Sequence, residues 1–129
     1  LIRSLADQGF IPIIAPVGVG DAGETYNINA DLVAAEVAKA LNAERLILIT
    51  DVDGVLDADK KLISSIDSAR ARAMIAEGSI QGGMIPKVEC ALDAVSEAVQ
   101  KVHIINGKRR HSLLLELFTN EGIGTEVML

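Results

Sequence analysis

Apolar residues fall along this chain either in short continuous runs or in stripes at helical spacing. Runs of four to eight apolar residues suit strands, and stripes near a period of 3.6 suit helices. Leu1 to Gln8 reads as the end of a helix, with Gly9 closing it. Phe10 to Val17 is an apolar run holding Pro12 and Pro16, so it predicts a strand with restricted pairing. Three glycines and an aspartate between Gly18 and Tyr26 predict a loop or hairpin. Asn29 then predicts the cap of a helix running to about Leu41, with Val33, Val37, Ala40 and Leu41 on one apolar face.

Arg45 to Thr50 is a continuous apolar run, which predicts a strand buried on both faces. Asp51 to Asp59 reads as an acidic loop and Lys60 to Ile63 as a short strand. Asp67 or Ser68 caps a helix through Glu77 that Gly78 stops. Met84 to about Gln100 is the next helix, with Pro86 tolerated in its first turn. Val102 to Ile105 predicts another buried strand and Asn106-Gly107 a turn. Ser112 caps Leu113 to Phe118, and Thr125 to Met128 makes a final edge strand. Strands alternating with helices give an α/β fold with a largely parallel sheet.

Composition narrows the function classes. A chain of 129 residues, half of them apolar, has one ordinary core to bury. No apolar run is long enough to span a bilayer, and no signal-peptide pattern opens the chain. A single cysteine cannot close an internal disulfide, which fits a reducing cytosol. A net charge of −6 and only three aromatic residues (Phe10, Tyr26 and Phe118) argue against a nucleic-acid surface. Leu1 to Leu5 starts inside a helical pattern without a cap, so the chain reads as the carboxy-terminal part of a longer protein.

Three motifs carry candidate chemistry. Asn27-Ile28-Asn29-Ala30-Asp31 places carboxamides and a carboxylate at a helix mouth. Asn29 as a cap and Asp31 as a first-turn acid have a structural explanation. Asn27 can also donate to a substrate carboxylate, and Asp31 can hold lysine ammonium groups. Thr50-Asp51-Val52-Asp53-Gly54-Val55 ends a predicted strand, where α/β sheets bind ligands, although Asp-Gly is also ordinary turn chemistry. Gly82-Gly83-Met84-Ile85-Pro86-Lys87 opens a helix. Glycines let backbone amides approach an anion, the helix N-terminus favours it, and Lys87 lies one turn in. The alternative there is a plain glycine link and a solvated lysine. Cys90 and His103 read as packing residues, His111 as part of a solvated basic loop, and no spacing suggests a metal site.

These three motifs resemble the amino acid kinase family, over Gly9 to Thr125. The Ile14 to Asp31 and Gly82 to Val88 stretches are closest to the branch that phosphorylates N-acetyl-L-glutamate. The resemblance implies an open α/β sandwich in two lobes with the amino-terminal lobe missing: residues 1–43 would end the substrate lobe and 44–129 form the nucleotide lobe. It implies ATP with Mg²⁺, N-acetyl-L-glutamate as acceptor, and a cytoplasmic homo-oligomer, dimer or hexamer, in arginine biosynthesis. By that match Asn27 binds substrate, Asp31 organises the catalytic lysines, and Lys87 stabilises the transferring phosphoryl group. Asp51, Val52, Asp53, Gly54, Val55 and Leu56, with Ser79, Ile80, Gln81, Gly82 and Gly83, line the nucleotide. The His111 to Thr125 tail is similar to a segment that binds feedback L-arginine. On that match His111, Glu116, Gly122 and Gly124 are effector candidates, against the plainer reading of an amphipathic helix and a glycine turn. Related kinases of other amino acids and a non-catalytic sensing module are the competing readings. With one lobe absent, the 129 residues are expected to show little turnover.

Overall fold

The computed structural model describes residues 1–120 and 122–129. Its elements in chain order are α1 (Ile2–Asp7), β1 (Val17–Val19), β2 (Thr25–Asn27), α2 (Ala30–Leu41), β3 (Arg45–Thr50), β4 (Ser65–Asp67), α3 (Ser68–Ala76), α4 (Met84–Glu97), β5 (Lys101–Asn106), α5 (Ser112–Phe118) and β6 (Thr125–Met128). The main sheet has strand order β3-β5-β6-β4. Two of its pairings are parallel, β3 with β5 and β4 with β6, and the central β5–β6 pairing is antiparallel. The fold is therefore α/β with a mostly parallel sheet flanked by helices.

Local chemistry explains most boundaries. Asn29 Oδ1 accepts from the amides of Asp31 at 2.9 Å and Leu32 at 3.3 Å, which starts α2. Asp67 Oδ1 accepts from the Arg70 amide at 2.8 Å and starts α3, and Gly78 at φ 76° follows its end. Gly9 at φ 85° follows α1 in the same way. The core lies between the sheet and α2, α3 and α4. Val88, Ala91, Ala94 and Val95 of α4 are buried against Leu46, Leu48, Val102, Ile104 and Val127. The alternate face of β5 carries His103, which meets Glu116 of α5.

The structure corrects several expectations. Phe10 to Pro16 forms no strand. Ile11 and Ile13 are almost fully exposed, the prolines remove donors, and the segment pairs with no strand among the described residues. Only Val17–Val19 pairs, in a hairpin with Thr25–Asn27. β3 is not buried on both faces: it is an edge strand, with Leu46 and Leu48 inward and Ile49 57% exposed. β6 is internal, whereas β4, absent from the sequence reading, is the edge. Lys60 to Ile63 contributes a single bridge, Leu56 to Leu62, rather than a strand. Ser112 is the buried first residue of α5, and His111 at φ 59° is the cap.

The buried face of α2 also differs from the expected stripe. Ala35 and Ala38 are buried, Val33, Val37 and Leu41 are half-buried, and Ala40 is exposed. Val33, Val37 and Leu41 line an open apolar groove with Pro12, Ile14 and Pro16. Small alanines let α2 approach α4 closely, and they share their face with Asp31. That geometry brings Asp31 to Lys87.

Candidate functional site

Helices that precede parallel strands run back along the sheet, so their N-termini lie at the carboxyl edge of those strands. α2 precedes β3 and α4 precedes β5, which puts Asp31 and Lys87 beside Thr50 and Asp51. Lys87 Nζ lies 2.6 Å from Asp31 Oδ2, with both side chains about three-quarters buried. Eight residues further along α2, Lys39 holds the same helix pair: its Nζ is 2.7 Å from Asp93 and from Glu36 and 3.4 Å from Glu97. Hydrogen bonds from Asp93 and Glu36 raise the Lys39 ammonium above its ordinary range. The Cys90 thiol donates to the Asp31 carbonyl at 3.3 Å. Burial, then the nearby Asp31 and Asp93 charges, push that thiol up.

Two adjoining clefts open at this edge. One, of about 330 Å³, is lined by Thr50, Asp51, Gln81, Gly83, Met84 and Lys87. The other, of about 210 Å³ and more apolar, is lined by Gly54, Val55, Leu56, Ser79, Ile80 and Met84, with Val52 and Gln81 shared between the two. Gly82 sits at φ 57°, and the amides of Gly82 and Gly83 donate to no backbone carbonyl among the described residues. A Cβ at either glycine would meet nothing within 4 Å, so this approach to α4 is open. Free amides, a helix N-terminus and an ammonium one turn in are the parts of an anion site. The apolar cleft beside it suits a flat heterocycle.

The acidic loop is held from β5. Asn106 Nδ2 donates to Asp53 Oδ1 at 2.8 Å, and the Gly107 amide donates to the Thr50 carbonyl at 2.8 Å. Lys108 approaches Asp51 at 3.4 Å, but both side chains are 72% exposed and the pair is weak. Among the described residues no group of three His, Cys, Asp or Glu side chains gathers as a metal site.

The structure thus places Lys87, Asp51, Val52 and Gly83 around one cleft, with Asp31 behind it as the partner of Lys87, and Gly54, Val55, Leu56, Ser79, Ile80 and Gln81 around the next, while Asp53 and Gly82 line neither. Asn27 stands apart, exposed at the end of β2 and lining neither cleft. Met84, which lines both clefts, was inside a singled-out motif but not picked from it, because methionine at a helix start has no distinctive signature.

The carboxy-terminal candidates lie elsewhere. Glu116 Oε2 accepts from the amides of Ile123 at 2.6 Å and Gly124 at 3.0 Å, and Oε1 lies 2.7 Å from His103 Nδ1. Burial pushes the Glu116 carboxyl up, but those amides and His103 outweigh it and hold it below the usual range. The Ile123 and Gly124 amides, which could otherwise receive a ligand carboxylate, are therefore engaged by Glu116 itself. Glu116, Gly122 and Gly124 line a polar cleft of about 240 Å³ with His103 and Glu126. His111 is outside it and accepts from Arg110 Nε at 3.1 Å. His103, read from sequence as packing, is thus a buried hydrogen-bonding partner.

The amino acid kinase family profile matches residues 1–106. The chain belongs to the amino acid kinase family. It is 59% identical over 127 residues to an acetylglutamate kinase of Trichlorobacter lovleyi, covering 98% of this chain and 44% of that protein. An acetylglutamate kinase of Syntrophus aciditrophicus is 56% identical over 129 residues, again covering 44% of its length. The chain thus spans less than half the length of these curated relatives. Among solved structures, an N-acetylglutamate synthase from Neisseria gonorrhoeae complexed with coenzyme A and L-arginine superposes with a TM-score of 0.92 at 32% identity. That match covers 98% of this chain and 30% of the synthase. No helix among the described residues is long and apolar enough to cross a membrane.

Proposed function

We propose that the chain supplies the nucleotide-binding part of an ATP-dependent kinase acting on the side-chain carboxylate of N-acetyl-L-glutamate. The observation that carries this reading is the Lys87–Asp31 pair at 2.6 Å, set beside the free Gly82 and Gly83 amides. The acetylglutamate kinases that share 56–59% of their aligned residues with it support the choice of acceptor. A neighbour of the same fold is a synthase, so fold alone does not carry kinase chemistry; the anion site supports it.

On this reading the Gly54–Leu56 cleft takes the base and the Gly82–Gly83 turn takes the phosphates. Asp31 keeps Lys87 at the cleft until the phosphoryl group competes for its ammonium. Asp51, which lines the cleft beside Lys87, would help to hold a Mg²⁺ brought by the nucleotide, and the ion would supply positive charge to the phosphates. The acceptor carboxylate, with a reference pKa of about 4.3, is ionised at neutral pH and needs no general base. Its oxygen attacks the γ-phosphorus, the bond to ADP breaks, and an acyl phosphate forms. The barrier is repulsion between anions, which amides and an ammonium lower. Asn27, on the exposed hairpin, would contact the acceptor from the other side, in line with residues 1–43 belonging to a substrate lobe. Saturable binding of Mg-ATP to the folded chain, weakened in Lys87→Met, tests this reading.

A second ligand reading is favoured by the polar cleft at Glu116 and by the L-arginine complexed with the structurally similar Neisseria gonorrhoeae synthase. L-Arginine binding there would need Glu116 to turn from the Ile123 and Gly124 amides. Titration with L-arginine, expected to be lost in Glu116→Ala, tests it.

A further inference from the structure

We infer that Thr125 is a positioning residue for the nucleotide: its hydroxyl fixes the Gly54–Val55 wall of the apolar cleft. The inference rests on the nucleotide reading of that cleft. Thr125 opens β6 and is completely buried. Its Oγ1 accepts from the Val55 amide at 2.8 Å and donates to the Ile63 carbonyl at 2.7 Å. The Ile63 amide in turn donates to the Val55 carbonyl at 2.9 Å. One hydroxyl therefore closes the base of the loop from Val55 to Ile63, whose first residues line the cleft.

The fit around that hydroxyl is close. Gly54 sits at φ 141°, and a Cβ there would stand 2.6 Å from Thr125 Oγ1 and 2.9 Å from Leu62 Cδ1. The glycine that lines the cleft is thus required by the threonine that anchors it. Without the hydroxyl, the Val55 amide and the Ile63 carbonyl would both be left unpaired in a dry interior, and the loop would shift to find water. The cleft wall would move with it. Thr125 touches no ligand on this account; it acts through Val55 and Gly54.

The test compares Thr125→Val, Thr125→Ala and Thr125→Ser in calorimetric titrations of the full chain with Mg-ADP, alongside urea unfolding. Removing the hydroxyl and its two buried hydrogen bonds should weaken Mg-ADP binding by about tenfold in the Val and Ala variants. The Ser variant keeps the hydroxyl and should bind within about twofold of wild type, even though it loses a buried methyl and some stability. A residue with only a structural role would lower the unfolding midpoint in all three and leave the affinity of the folded chain unchanged; that result overturns the assignment. If Val and Ala do not fold, hydrogen exchange of the wild-type chain decides. Saturating Mg-ADP should slow the Val55 amide more than the β5 amides, and equal slowing overturns the assignment. A folded wild-type chain that binds no Mg-ADP ends the nucleotide reading and this inference together. Wild-type binding with an unaffected Thr125→Val ends this inference alone.

Discussion

Neutralising Lys87 and neutralising Asp31 should change nucleotide affinity in different directions. Their charged atoms lie 2.6 Å apart, with side chains 22% and 26% exposed. Lys87→Met keeps the stem and removes the ammonium. Asp31 is left without its cation, but it stands in the first turn of α2, where the helix N-terminus still favours a carboxylate. Some water also reaches it, so the stability cost is about 1 kcal/mol, below the several expected for a fully buried orphan charge. The nucleotide loses a charge-assisted hydrogen bond to phosphate worth about 1.5–3 kcal/mol. That corresponds to a dissociation constant for Mg-ATP raised about 10- to 150-fold. Asp31→Asn removes instead the carboxylate that competes with phosphate for the same ammonium, so Mg-ATP affinity should hold or rise. Calorimetric titration of each folded variant reads both numbers. Equal losses in the two variants would mean that the pair is a structural unit and that Lys87 is not aimed at an anion. Unchanged affinity in Lys87→Met would remove Lys87 from the nucleotide site.

Two further outcomes follow from the packing and the electrostatics. Gly54→Ala combines a backbone at φ 141° with a Cβ 2.6 Å from Thr125 Oγ1. Strain and overpacking together should cost about 2–5 kcal/mol, read as a lowered urea midpoint with an unchanged slope; a loss under about 0.5 kcal/mol would contradict the close fit. Glu116 is held below its ordinary value of 4.5 in the fold, so its stabilisation is present in full above that value and is lost as pH falls through the lower folded one. Glu116→Gln should therefore be less stable than wild type at neutral pH by about 1.5–3 kcal/mol, and the gap should narrow on acidification below 4.5. A gap that stays constant with pH would show that the Ile123 and Gly124 amides do not hold a charge.

Much of the site was legible because its parts are local. The Asn29 cap, the Gly82-Gly83 approach and the Asp51 loop each announce themselves within a few residues, and α/β architecture places them at one sheet edge. The pairing of Asp31 with Lys87 was legible only as an expectation, because it needs two helices in contact. The residues that bring those helices together, Ala35 and Ala38, stand off the face of Val33, Val37, Ala40 and Leu41 that the spacing predicts. Side-chain size indicates apolar character, but close approach of two helices selects small residues. Strand roles were misread for a related reason. Apolar content does not tell an edge strand from an internal one, since this depends on pairing with residues far along the chain. β3 and β6 exchange their expected places on that account. Thr125 and His103 carry no sequence signal at all: a threonine or histidine in a strand acquires partners only when the loop or helix across from it arrives.

The central claim is that these motifs form a nucleotide site within this chain. Mg-ADP titrated into the wild-type 129 residues, shown to be folded by cooperative urea unfolding, tests it most directly. Saturable binding at one site per chain is expected, with the unfolding midpoint rising with the logarithm of Mg-ADP concentration above the dissociation constant. A cooperatively folded chain that takes up no Mg-ADP, and whose midpoint does not move, would contradict it.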